Sequence, residues 1–171
     1  RKDPNTLESS ISYGTIINGE YNEMKTEIVG KNAIKIKSLK VDDNIFLGVI
    51  SLDDNLLSII NVDEDEITHI NLGTQSNDGP ADLIAIKLMG FVSSTYLGDF
   101  RSVNIDNNGF MPTYRLDGII PMGISMENAV FCDMKEQPGQ AYFAATEKQN
   151  INELPYHRVK ILYHPVTSVQ D

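Results

Sequence analysis

The sequence predicts an all-β or β-dominated α+β fold, built as a β-sandwich or a distorted barrel of short antiparallel strands with at most one or two helices. Short apolar and β-branched runs recur along the chain. Gly, Asn, Asp and Pro turn signals separate these runs at intervals of about 8–12 residues. Spacing of this kind is typical of sandwiches and barrels.

The chain divides into a tail and a domain. Residues 1–10 are polar and include Pro4, which predicts an N-terminal tail or linker. Residues 11–171 are predicted to form a single β-rich globular domain, because a chain of 171 residues with 41% hydrophobic content can bury a core. The single cysteine excludes an internal disulfide. Because the chain begins with Arg1 and not Met, we expect it to be processed or excised from a longer protein.

Hairpin signals are clearest in the first half of the chain. The strand candidate 11–17 ends at Asn18-Gly19, a dipeptide that favours tight hairpin turns, and 21–29 is the expected return strand. Three later runs are joined by short acidic turns and predict a β-meander: 45–52, 56–62 and 67–72. The first two of these runs are almost continuously apolar, which predicts that both faces of each strand are covered.

Residues 33–41 alternate Ile and Lys, the period of a half-buried strand. The apolar phase changes within the segment, because Ile34 and Ile36 lie in one phase and the later apolar residues in the other. A β-bulge near Ser38 is the expected means of turning both sets towards the core.

Two segments are candidates for helix, 80–97 and 147–153. In the first, Asp78 and Pro80 form a helix start signal. The alternating apolar residues that follow and the interruption at Gly90 favour strands instead. The sequence leaves both alternatives open.

Charge and hydropathy disfavour several classes of function. Fourteen basic and 24 acidic residues give a net charge of −10, which disfavours binding to nucleic acid or to anionic membranes. The basic run at 31–40 is interpreted as a solvated strand face. No apolar run approaches the ~20 residues of a membrane helix and no signal segment is visible, so membrane insertion is not expected and the location stays unknown. An acidic surface can also steer a basic partner.

One acidic turn resembles the start of a calcium loop. Asn104, Asp106, Asn108 and Gly109 match the first, third, fifth and sixth positions of an EF-hand loop. The twelfth position, which should supply a bidentate Glu, is Arg115. A hairpin turn is therefore the favoured interpretation, the three polar residues are kept as metal candidates, and no cofactor is expected.

Catalytic signals are weak. The strings of phosphate loops, nucleophile elbows, dinucleotide sites and zinc proteases are absent from the sequence. Cys132 alternates with apolar neighbours and is interpreted as a small buried hydrophobe. His157 and His164 are seven residues apart, so one strand places them on opposite faces. The acids at 63–66 are interpreted as a solvated turn that limits aggregation, and those at 42–43 and 53–54 are interpreted in the same way.

Three short segments resemble the central strands of SUKH-type immunity proteins: 118–123, 130–133 and 139–142. The resemblance covers a small part of the chain. The helical N-terminal part of that family has no counterpart in this sequence, and we assign no family on this basis.

These observations favour a non-catalytic structural or protein-binding module, a subunit of a larger assembly such as a viral or phage particle. It would bind a protein partner or self-assemble as a homo-oligomer, and the assembly hypothesis expects apolar sheet edges or an arm at residues 1–10. The first alternative is an acidic inhibitor or immunity-type protein that masks a basic target. The second is a small hydrolase that uses His157, His164 or Cys132 with a carboxylate.

Overall fold

Antiparallel strands make up most of a computed structural model of the chain, which describes residues 1–72, 79–86, 90–95, 99–106, 113–121, 131–132, 140–151 and 154–165. The strands within these ranges are β1 (Glu8–Ile17), β2 (Glu20–Lys31), β3 (Ala33–Val41), β4 (Asn44–Ser51), β5 (Leu56–Asn61), β6 (Glu66–Asn71), β7 (Pro80–Ile86), β8 (Gly90–Thr95), β9 (Asp99–Asp106), β10 (Thr113–Pro121), β11 (Phe131–Cys132), β12 (Gln140–Ile151) and β13 (Leu154–Pro165). The described ranges contain no helix, and the prediction of a β-dominated fold is confirmed.

Strands β1 and β2 form a two-stranded hairpin. Ile17 pairs with Glu20, so the turn consists of Asn18 and Gly19 alone. Their φ angles are 54° and 83°, the left-handed values that a two-residue hairpin turn of type I′ requires. The hairpin predicted from the Asn-Gly dipeptide is confirmed.

The central sheet has the order β3-β4-β5-β6, in which every neighbouring pair is antiparallel. This confirms the predicted β-meander. Its turns contain three residues with left-handed φ, namely Asp42 at 54°, Asn55 at 54° and Asp65 at 58°. Asn and Asp tolerate this conformation better than most residues other than glycine, which explains why the turns are rich in them.

Both faces of the central sheet are covered. Along β4, Phe46 and Ile50 belong to one buried cluster, whereas Val49 belongs to a second buried cluster together with Tyr13 and Val29 of the hairpin. Alternate residues of a strand point to opposite faces. The almost continuous apolar character of β4 and β5 is therefore explained, and the prediction that both their faces are covered is confirmed.

A second four-stranded sheet, with the order β10-β9-β8-β7, contributes to the larger of the two clusters. Phe91 of β8 packs over Gly48 of β4, and a Cβ atom at Gly48 would lie 2.6 Å from the Phe91 ring. The central sheet and the second sheet thus share one apolar core. Its buried members are Leu39, Phe46, Ile50, Leu57, Ile59, Leu72, Leu83, Phe91, Val103 and Ile105.

The bulge expected near Ser38 is wrong. The register of β3 shifts between Ala33 and Lys35, and pairing with β4 is regular from Lys35 onward. Lys35 lies in the same phase as the buried Leu39, since the two are four residues apart on a regular strand, and its Nζ atom forms an ion pair with Asp82 of β7 at 3.0 Å. The two isoleucines of the other phase, Ile34 and Ile36, consequently stay exposed.

Neither candidate helix forms within the described residues. Strands β7 and β8 occupy 80–86 and 90–95, where the sequence left helix and strand open. β12 continues through Ile151, so a helix at 147–153 is wrong. The cause is pairing with partner strands, since β12 pairs with β13 from Gln140 to Ile151 and this outweighs the helix propensity of Glu147 and its neighbours.

A further, three-stranded sheet has the order β11-β12-β13. Its long hairpin joins β12 and β13 between Ile151 and Leu154, which pair with each other. In the part of the chain that the structure describes, we find no helix with the length and hydropathy of a membrane span.

Candidate protein-binding surface

A β-bulge holds the base of the β1–β2 hairpin to the central sheet. Ile28 pairs with Ser10 and Gly30 pairs with Ser9, so the pairing skips Val29. The Val29 carbonyl accepts hydrogen bonds from Ser51 Oγ at 2.5 Å and from Ser58 Oγ at 3.0 Å. Both serines are fully buried, and they satisfy a buried carbonyl that the bulge leaves outside the ladder.

Ser58 also lies 2.9 Å from Nδ1 of His69, the spacing of a nucleophile and its base. The hydroxyl proton of Ser58 is donated to Val29, so the hydroxyl accepts from the ring and His69 carries its proton on Nδ1. A fully buried hydroxyl in this arrangement cannot attack a substrate. The sequence analysis missed this pair, and the signal that reveals it is the register of β5 with β6, in which Ser58 lies opposite His69.

A second anchor lies farther along the hairpin. The Tyr13 hydroxyl donates to Asp65 Oδ1 at 2.6 Å, and Lys25 Nζ contacts the same oxygen at 2.9 Å. Lys25 also pairs with Glu27 at 2.6 Å. Asp65 belongs to the turn between β5 and β6, so these contacts tie both strands of the hairpin to the central sheet.

The ionisation of this anchor is fixed by its contacts. Burial, with the hydrogen bond to Asp65 next, raises the pKa of Tyr13 to about 12. The hydrogen bonds from Tyr13 and then Lys25 lower the pKa of Asp65 below its usual value. Hydrogen bonds to Glu27 and then Asp65 raise the pKa of Lys25. The neutral phenol, the carboxylate and the ammonium therefore persist together across neutral pH.

Two further turn acids accept hydrogen bonds from the backbone. Asp54 Oδ2 accepts from the amide of Lys31 at 2.7 Å, and Asp63 Oδ2 accepts from the amide of Ile45 at 2.6 Å. The interpretation of these turns as simply solvated is thus incomplete, because their carboxylates join elements that are distant in sequence. The sequence analysis missed these roles, since the partner amides are 23 and 18 residues away.

The end of the hairpin, residues 14–24, is exposed throughout, and we call it the hairpin tip. Four large apolar side chains lie on it with exposed fractions of 55–76%: Ile16, Ile17, Tyr21 and Met24. Ile16 and Tyr21 are cross-strand partners on one face of the hairpin, and Ile17 lies on the other face. Exposed apolar side chains grouped at one end of an element make that end a candidate interaction site. The assembly hypothesis expected apolar sheet edges or an arm at residues 1–10. In the structure, β1 begins within this segment at Glu8, and Lys2 forms an isolated β-bridge with Ser9.

A groove of about 330 Å³ lies beside the base of the hairpin, between β1, β2 and β3. Its apolar lining includes Ile11, Ile34 and Ile36, and its basic lining consists of Arg1, Lys2 and Lys35. Among the described residues that line it, none is acidic. We call it the basic groove, which stands out in a chain with a net charge of −10.

Two of the three predicted metal candidates lie on a strand of a hairpin. Asn104 pairs with Arg115 and Asp106 with Thr113, so Asn104 and Asp106 lie on β9 of the β9–β10 hairpin. Asn108 lies outside the described residues. Across the residues that the structure describes, no group of three or more His, Cys, Asp or Glu side chains is arranged to hold a metal ion.

The hydrolase candidates are separated by strand register. Cys132 pairs with Ala144, which pairs in turn with Ile161. His157 and His164 lie four and three residues from Ile161 along β13, two strands away from Cys132. Standard strand spacings place their Cα atoms about 16 and 14 Å from that of Cys132, beyond the reach of a thiol–imidazole hydrogen bond.

No protein-family model, no curated protein and no solved structure matches this chain. Because a fold by itself does not define a function, the function has to be argued from the surfaces described above. The two surfaces that stand out are the apolar hairpin tip and the basic groove.

Proposed function

We propose that the chain is a non-catalytic structural protein that self-associates as a subunit of a larger assembly, and that the hairpin tip is its contact surface. The observation that carries this proposal is the exposure of every residue from 14 to 24, with four large apolar side chains among them. Water-exposed apolar area is costly, and burying it against another protein is favourable.

The construction of the hairpin supports the same function. Its base is fixed by the paired serines at Val29 and by the Tyr13–Asp65–Lys25 contacts. Its tip carries an Ile16–Tyr21 cross-strand pair next to a tight turn. Such pairs stabilise a ribbon by about 0.2–1 kcal/mol. The chain thus presents an apolar surface on a pre-organised element, which lowers the entropic cost of binding.

The chemistry of the described side chains supports a non-catalytic role. In the Ser58–His69 pair, the only nucleophile-like pair among the described side chains, Ser58 is fully buried and its hydroxyl serves the hairpin anchor, whereas His69 is exposed. The strand register places Cys132 of β11 far from His157 and His164 of β13. The turn carboxylates Asp54 and Asp63 are engaged by backbone amides.

The test is the solution mass by light scattering across a roughly hundredfold concentration range, since association makes the mass concentration-dependent. We expect the wild type to form multimers and the Ile16→Thr/Ile17→Thr variant to remain monomeric, because Thr keeps the β-branched shape and removes apolar area. Ile45→Thr is the matched control, as Ile45 is an exposed isoleucine on β4 and not part of the hairpin.

A wild-type protein that stays monomeric throughout would overturn the proposal and favour the acidic inhibitor, for which a basic protein would be the next partner to seek. Equal association of the wild type and the tip variant would also overturn it. Loss of association in Ile45→Thr as well would mean that the effect is not specific to the hairpin tip.

A further inference from the structure

We propose that the hairpin tip of one copy docks into the basic groove of the next copy, so that subunits join head to tail. This inference rests on the proposed function and names its partner as a second copy of this chain. The groove that would receive the tip lies beside the base of the hairpin, at the end opposite its tip.

Charge and hydropathy of the two surfaces are complementary. The hairpin tip carries Glu20 and Glu23 without a basic residue, beside its four apolar side chains. The basic groove carries Arg1 and Lys2 over an isoleucine-rich floor, and Lys35 also lines it, although its side chain belongs to the other phase of β3 from Ile34 and Ile36. Asp82 offsets Lys35 through their 3.0 Å ion pair, which leaves Arg1 and Lys2 as the two bases at the rim. The register places Glu23 on the same face of the ribbon as Ile16 and Tyr21, and Glu20 on the other face with Ile17. The face with Ile16 and Tyr21 thus offers an acid beside apolar side chains to the two bases of the groove, the usual anatomy of a protein interface.

The geometry requires a second copy. The groove is lined by Ile11 and Val29 at the base of the hairpin, whereas the apolar tip begins at Ile16 and Ile17. Six residues of extended strand between Ile11 and Ile17 span about 20 Å, so a tip cannot fold back into the groove beside its own base.

The contact joins two different surfaces and is therefore heterologous. Each docked copy leaves its own groove and the tip of its neighbour available for further copies. A heterologous contact closes into a ring or grows into a filament, and it does not stop at a symmetric dimer. We therefore expect masses above that of a dimer at high concentration.

The test uses two variants of the full chain. The tip variant is Ile16→Thr/Ile17→Thr, with an intact groove. The groove variant is Lys2→Glu/Ile36→Glu, with an intact tip; it spares Lys35, whose loss would leave the buried Asp82 without its ion pair. Circular dichroism and urea unfolding check that both variants fold.

We expect each variant alone to lose self-association by about tenfold or more in Kd, and an equimolar mixture to form a 1:1 dimer that grows no further. The mixture associates because the groove variant supplies a tip and the tip variant supplies a groove. This complementation is the result that supports head-to-tail docking.

Other outcomes separate the two proposals. If the groove variant alone associates like the wild type while the tip variant does not, the tips contact another surface or one another, and the docking inference fails while the proposed function stands. If both variants fail alone and the mixture also stays monomeric, the inference fails. If the tip variant alone associates like the wild type, the proposed function itself fails.

Discussion

Asp65 holds the hairpin to the central sheet through donors from both strands of that hairpin, Tyr13 and Lys25. The phenol is buried, whereas the carboxylate is largely exposed, with 59% of its side chain accessible. Solvent weakens the ion pair with Lys25 through screening, so the hydrogen bond from Tyr13 is the contact whose loss should be measurable.

We expect Tyr13→Phe to lower the free energy of unfolding by about 1 kcal/mol near neutral pH, because it removes one hydrogen bond while the freed carboxylate can be solvated. The pKa of Asp65 should rise towards 3.8 in this variant, since the Tyr13 hydroxyl is the leading cause of its lowering. Carboxyl titration by NMR checks the pKa, and urea unfolding checks the stability.

The pH dependence has a defined sign. The pKa of Tyr13 is raised on folding, so its contribution is complete below pH 10 and is lost as the pH rises towards 12. The pKa of Asp65 is lowered on folding, so its contribution is lost as the pH falls below 3.8. The stability difference between wild type and Tyr13→Phe should be flat between these limits. Tyr21→Phe, on the exposed tip, is the control, and an equal loss in that variant would contradict the assignment.

Sequence reasoning at this scale identified which residues form turns but not which contacts they make. Asp54, Asp63 and Asp65 were expected to be solvated turn acids, and each binds a group on a distant strand. The Asn104–Asn108 calcium interpretation and its hairpin alternative illustrate the same limit, because spacing along the chain does not show what approaches from elsewhere. The β9–β10 pairing supports the hairpin, and the metal assignment stays a prediction.

At the scale of elements, strands that are covered on both faces were the easiest to predict. β4 and β5 are apolar in both phases because the hairpin lies on one face of the central sheet and the second sheet on the other. The bulge of β3 was misplaced because the sequence does not show that Asp82 lies where Lys35 can reach it. The helix at 147–153 was wrong because pairing with β13 outweighs local propensity.

Gly48 of the central sheet lies directly against the Phe91 ring of the second sheet. We expect Gly48→Ala to destabilise the fold by about 1–3 kcal/mol, because the new methyl group would overlap the buried Phe91 ring. The midpoint of urea unfolding should fall with an unchanged dependence on urea concentration.

The control for this prediction is the Phe91→Leu background, in which the smaller side chain leaves room for a methyl group. Gly48→Ala should cost less there than in the wild type, and this non-additivity is the signature of direct contact. A cost that is equal in both backgrounds would mean that the destabilisation comes from the backbone and not from packing on Phe91.

At the scale of the whole molecule, the sequence predicted the β-rich class but not the exposed hairpin tip or the basic groove. The Asn18-Gly19 turn was recognised, yet 11–17 and 21–29 resembled ordinary strands, because exposure depends on how far the hairpin extends past its neighbours. The same holds for the basic groove, whose lining comes from the chain start, both hairpin strands, β3 and β4. The choice between a sandwich and a barrel stays a prediction.

Net charge gives self-association an unusual dependence on salt. Each copy carries a charge of −10, so approaching copies repel one another over long distances. The screening length falls from about 30 Å at 0.01 M to about 10 Å at 0.1 M salt, which removes most of this repulsion. In the proposed docking, the tip carboxylates would lie close to the bases of the groove, and the docked surfaces would shield these contacts from the ions.

We therefore expect the Kd of self-association to fall by about tenfold as salt rises from about 0.01 to 0.1 M, the opposite of a complex driven by long-range attraction. Sedimentation or light scattering at each salt concentration measures it, and the tip variant Ile16→Thr/Ile17→Thr should stay monomeric throughout, which separates docking from salting out. A Kd that rises steadily with salt would mean that attraction between the acidic tip and the basic groove outweighs the repulsion between whole subunits. The local charges would then govern assembly, and neutralising Glu20 and Glu23 would weaken it at every salt concentration.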